Sequence, residues 1–170
     1  MLLDLRIFNF AIIEQAELSF GPGLNVLSGE TGAGKTIIMN ALAMLLGGRA
    51  FADVVRVDRK EAVVEARFEI EGEMPIADGV QWLGGGDREL VIRRVVAEGG
   101  RSRVLINDQL ATVGSLGRIG AALVEIYGQH EQQALLRPES HREILDRYAG
   151  LDDQLAEYRA AYQRAIATRA

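Results

Sequence analysis

Between Gly29 and Thr36 the chain reads Gly-Glu-Thr-Gly-Ala-Gly-Lys-Thr. Glycines at Gly29, Gly32 and Gly34 let the backbone approach an anion where larger side chains would clash. Successive N–H groups, and the N-terminus of a helix that follows, then face the negative charge. A lysine after the last glycine can reach the outer phosphates of a nucleotide, and the hydroxyl of the next residue can ligate magnesium. The segment matches the GxxxxGK[ST] pattern without exception. Gly29, Glu30, Thr31, Gly32, Ala33, Gly34, Lys35 and Thr36 are therefore expected to bind a nucleoside triphosphate. Lys35 is the expected catalytic cation and Thr36 the expected metal ligand, whereas Glu30 reads as loop filler. The alternative is a glycine-rich turn that starts a helix, with Lys35 a surface charge. The pattern does not fix the base.

Such a loop works only between the right elements. A short apolar run, Leu24 to Ser28, enters it. After it Ile37, Ile38, Ala41, Leu42, Leu45 and Leu46 recur at helical spacing, and Gly47-Gly48 supplies a stop. This predicts a helix of about three turns. Upstream, alternation predicts strands over Leu2–Phe10 and Glu14–Phe20, forming a hairpin, with Leu3, Leu5, Ile7 and Asn9 on one face of the first. Downstream, Glu61–Ile70 alternates strongly. Glu89–Ala97 and Arg103–Asn107 flank the Glu98-Gly99-Gly100 turn signal. Residues 72–87 read as loop with a short helix. A helix is expected from Thr112 to about Leu123, then a short strand over Val124–Tyr127, then another helix from near Pro138. From Leu151, the 4-3-4-3 spacing of Leu151, Leu155, Tyr158, Tyr162 and Ala165 suits either a coiled-coil seam or an ordinary amphipathic helix. The last helix has no stop signal.

Composition bounds the rest. At 170 residues there is room for one compact body. The chain has no cysteine, which excludes disulfides and thiolate metal sites. Neither a signal peptide nor an apolar run of roughly 20 residues is present, so a cytoplasmic protein with no membrane partner is expected. The net charge of -5 gives no global basic field for nucleic acid. His130 and His141 lack the spacing of metal ligands. Arg101 and Arg103 are either phosphate or DNA contacts or a solvated hairpin.

The chain resembles the SMC-like branch of the ABC-type ATPases, and in particular its bacterial recombination and repair members. The resemblance is carried by Leu5-x-Ile7-x-Asn9-Phe10-Ala11-Ile12, the Gly29–Thr36 loop and Leu46-Gly47-Gly48-Arg49-Ala50. It continues through Arg93-Arg94-Val95, Gly100-Arg101-Ser102-Arg103, Ile106-Asn107 and Gly128-Gln129-His130-Glu131-Gln132-Gln133. These segments span nearly the whole chain in the family's order. Asp108 departs from the glycine usual after the asparagine, although Asn-Asp can still form a turn.

The resemblance implies an α/β fold of the ABC/SMC head type. Residues 1–149 would be its N-terminal lobe with an antiparallel β-subdomain, and 150–170 the start of a coiled-coil arm. It implies ATP and Mg2+ as cofactors, and gives Gln129 the Q-loop role of touching the metal and sensing the γ-phosphate. On residues alone, Gly128-Gln129 would be a surface turn. Asn9 and Phe10 would lie near the adenine, although Phe10 reads equally as core. The signature motif, Walker B aspartate and catalytic glutamate of a complete head are not found in these 170 residues. Expected partners are therefore the C-terminal lobe of the same head, a second head in an ATP-sandwiched dimer, and DNA through the full-length protein, which would associate with the nucleoid. Two rivals stand beside this reading. One is a complete small P-loop nucleotide kinase, and the other a non-catalytic nucleotide-gated interaction module.

Overall fold

The computed structural model describes residues 1–29, 33–70, 88–124, 126, 141–142, 145–146 and 148–169. Contacts divide the chain into two units, Met1–Val124 and Glu125–Ala170.

In the first unit, β1 (Leu2–Phe10), β2 (Ile13–Ser19), β3 (Glu61–Glu69), β4 (Glu89–Ala97), β5 (Ser102–Ile106) and β6 (Gln109–Ala111) form one antiparallel sheet in the order β2-β1-β3-β4-β5-β6. Its elements follow the expected boundaries to within a residue or two, except that the three-residue β6 was not foreseen. Alternation produces the sheet's two faces. Ala62, Val64, Ala66 and Phe68 of β3 and Leu90, Ile92 and Val96 of β4 are buried on one face. The opposite face carries an ion-pair ladder in which Arg67 holds Asp4 at 2.6 Å and Arg6 holds Glu17 at 2.7 Å. Hydrogen bonds from Arg67 and Ser19 keep the Asp4 carboxyl below its usual range.

The expected face of β1 changes at its end. Leu5 and Ile7 are buried as their alternation requires, but Phe10 is buried too, at 3% exposure. Asn9 takes a φ of 51°, and its carbonyl accepts from the N–H of Arg56 at 2.9 Å. This local twist interrupts simple alternation and leaves Phe10 in the core. The tight turn between β5 and β6 has positive φ at both Asn107 (44°) and Asp108 (62°), as a two-residue type I′ hairpin requires. Asp108 thus does the work of the expected glycine, since Asn and Asp tolerate this region better than other non-glycine residues.

Two α-helices lie in this unit among the described residues. Helix α1 (Ala33–Leu45) buries Ala41, Met44 and Leu45 in the core, the i, i+3, i+4 set of one helical face. It ends where Gly47-Gly48 predicted. Gly47, at φ 106°, donates to the Met44 carbonyl at 3.1 Å, and Gly48 donates to that of Ala43 at 3.0 Å. This is the Schellman arrangement. Helix α2 (Val113–Leu123) starts at Thr112, whose side chain accepts from the N–H of Ser115 at 3.0 Å. It packs closely on the end of α1: a Cβ placed on Gly120 would lie 2.3 Å from the Leu46 carbonyl oxygen.

Beyond α2, Val124 and Ile126 have no strand assignment. The rest of the short strand expected there lies outside the described residues, as do the 72–87 segment and the expected helix start near Pro138. In the second unit, α3 (Asp152–Arg169) covers the expected terminal helix. Tyr158 and Tyr162 stack at 6.3 Å on its surface, with Ile166 exposed beside them.

Candidate nucleotide-binding site

The phosphate-binding segment begins at Gly29 and passes into the first turn of α1 at Ala33. Glu30, Thr31 and Gly32 lie outside the described residues, as does Gln129. Gly34 and Thr36 are exposed in the first turn of α1, and Lys35 is half-buried between them. The Lys35 ammonium donates to the Gly29 carbonyl. The structure therefore brings Lys35 and Gly29 together, with Thr36 next to Lys35 in the first turn of α1.

The chemistry of the site suits an anion. The first turn of α1 contains no acidic residue, so nothing there opposes the attraction of the helix's positive pole for phosphate. Nothing lies within 4 Å of a Cβ placed on Gly34, so the approach is open on that side. A polyphosphate with Mg2+ fits this donor set of helix N–H groups, one ammonium and one hydroxyl.

The entering side differs from the leaving side. Leu24, Val26 and Leu27 carry no strand assignment and are exposed, Leu24 at 91%. A strand needs a hydrogen-bonded neighbour, and no such pairing exists for this run among the described residues. Asn25 instead closes a local turn, its side-chain oxygen accepting from the Gly21 N–H at 3.1 Å and its amide donating to the Gly21 carbonyl at 2.8 Å. Arg101 and Arg103 are exposed, Arg101 in the β4–β5 turn and Arg103 on β5.

One residue escaped the reading of the sequence for function. Arg94 of β4 is 2% exposed. Its guanidinium donates to the carbonyls of Met44 and Gly48 at the end of α1, the latter at 2.6 Å, and to the Ser102 hydroxyl at 2.8 Å. Burial pushes its pKa down from the ordinary arginine value. The signal was present in the period-two pattern, because Arg94 shares a face with Leu90, Ile92 and Val96.

Similarity to known proteins agrees with this geometry. The AAA domain family model matches residues 4–168. The DNA repair protein RecN of Halalkalibacterium halodurans is 46% identical across 98% of this chain, and that of Bacillus subtilis is 42% identical across the same share. The chain spans about 30% of the length of these curated relatives. Among solved structures, the Smc head domain with a coiled coil and joint from Pyrococcus yayanosii superposes with a TM-score of 0.67 at 22% identity, covering 97% of this chain and 34% of that one. A structure from work on ATP-driven dimerization and DNA-stimulated activation of SMC ATPases gives 0.62 at 22% identity, covering 85% of this chain and 97% of that one. The fold is that of the P-loop ATPase heads. The chain belongs to the AAA domain family.

Proposed function

We propose that this chain is the ATP-binding portion of an SMC-like DNA repair ATPase. The observation that carries the reading is the complete phosphate-binding pattern passing into an α1 whose first turn is free of acidic residues, with Lys35 donating to the Gly29 carbonyl. Gly29 to Thr36 cradle the phosphates through backbone N–H groups. Lys35 exchanges the Gly29 carbonyl for phosphate oxygens and stabilises charge on the transferred phosphoryl group. The Thr36 hydroxyl and the Gln129 amide oxygen would hold Mg2+, a hard cation that takes oxygen ligands, and the ion would supply charge neutralisation to the phosphates.

Water activation and the opposing signature contacts are assigned to a C-terminal lobe in the remainder of the polypeptide and to a second head across a shared nucleotide. The exposed Leu24–Leu27 run supports that assignment. Four successive residues with three large apolar side chains are the composition of a strand covered on both faces, and here they face solvent. The exposed Tyr158 and Tyr162, both on the 4-3-4-3 seam of α3, support its role as the start of a coiled-coil arm. DNA is engaged by the full-length protein in the nucleoid, with hydrolysis altering the geometry of the arms. The similarity to repair proteins and P-loop heads favours neither a nucleotide kinase nor a gated interaction module.

Lys35→Ala in the full-length protein is expected to lower ATP turnover on the order of 100-fold or more, as removal of a transition-state charge partner does. Steady-state phosphate release measures it. The 170-residue chain alone is expected to bind ATP weakly and hydrolyse almost none. Turnover by that chain at the full-length rate, abolished by Lys35→Ala, would show that the site is not divided.

A further inference from the structure

Two carbonyls at the end of α1 are already satisfied without any help from the sheet. Gly47 and Gly48 satisfy the Met44 and Ala43 carbonyls through the Schellman hydrogen bonds. Arg94 nevertheless reaches across from β4 to grip Met44 and Gly48. No carboxylate forms an ion pair with it among the described residues. A buried cation held only by neutral oxygens is costly, and an apolar side chain of similar volume would often serve stability as well or better. The last turn of α1 has no basic residue of its own, so Arg94 also supplies the positive charge that a helix C-terminus favours.

We propose that Arg94 is a positioning residue for the nucleotide site, with its buried guanidinium fixing the axial placement of α1 and hence of the turn that receives the phosphates. The inference rests on the nucleotide-binding reading given above. Ala41, Met44 and Leu45 hold α1 against the sheet through apolar contact, which is non-directional and resists sliding weakly. Directional, charge-assisted hydrogen bonds from the Arg94 Nη1 group to two carbonyls do resist it. The bond from Nε to Ser102 fixes the guanidinium plane. A helix of 13 residues is a rod of about 20 Å. Any shift at its gripped end appears at Gly34, Lys35 and Thr36.

The test uses the full-length protein and Mg2+ with a fluorescent ATP analogue, titrated well below the melting temperature of each variant. Wild type, Arg94→Lys, Arg94→Met, Ser102→Ala and Lys35→Ala are compared for affinity and for Tm. Arg94→Met is expected to keep a Tm at or above that of Arg94→Lys while weakening nucleotide binding about fivefold or more, with Arg94→Lys between it and wild type. Ser102→Ala is expected to weaken binding about twofold. Affinities and melting temperatures falling in the same order would reveal a purely structural role and overturn the proposal. If Arg94→Met does not fold, Ser102→Ala decides: weakened binding supports the proposal and wild-type binding overturns it. Loss of binding in Lys35→Ala alone sinks only the role of Arg94. Wild-type binding in Lys35→Ala sinks the nucleotide reading, and this inference with it.

Discussion

On the leaving side of the Gly29–Thr36 loop, α1 runs into a core where Ala41, Met44 and Leu45 are at most 3% exposed, and Arg94 and α2 close on its far end. On the entering side, Leu24, Val26 and Leu27 are 91%, 77% and 48% exposed. Both flanks are apolar in sequence. They differ because a helix satisfies its own backbone hydrogen bonds and needs only one covered face, whereas a strand depends on neighbours for both. An antiparallel sheet provides the covered face for α1. Among the described residues, then, the leaving side of the loop is held by a core and the entering side is not.

Four substitutions test that contrast by chemical or thermal unfolding of the chain. Leu45→Ala, at a fully buried position of α1, is expected to cost about 2–5 kcal/mol, the range for emptying a core site. Gly120→Ala forces a Cβ against the Leu46 carbonyl at the α1–α2 contact and is expected to cost about 1–3 kcal/mol. Thr112→Ala removes the hydroxyl that accepts from Ser115, a cap worth about 1 kcal/mol. Val26→Ser, at 77% exposure on the entering side, is expected to change stability by no more than about 0.5 kcal/mol. A loss for Val26→Ser comparable with that for Leu45→Ala would mean that the entering run is packed after all, and the contrast would fail. A large loss confined to the full-length protein would sharpen it by placing the missing cover in the rest of the polypeptide.

Much of the fold was legible because its signals are local. The period-two run from Glu61 to Glu69, the Gly47-Gly48 stop and the Thr112 start each depend on residues within a few positions. Asn9 and Asp108 were less transparent. Their positive φ values are permitted by residue type, but only the hydrogen bond from Arg56 and the pairing of Ile106 with Gln109 select them. The short β6 lacks enough residues to show a period. Of the candidate site, the loop pattern was complete in the sequence. Arg94 was seen only as part of a motif.

By itself, the sequence determined the complete GxxxxGK[ST] pattern, the helix after it and the alternation that divides the sheet into two faces. Those follow from residue types at fixed spacing along one chain segment. Tertiary structure alone decided that Arg94, 50 residues from Met44, grips the far end of α1, and that Leu24 to Leu27 face solvent. Burial and long-range hydrogen bonding depend on which segments meet in space, and no local spacing encodes that.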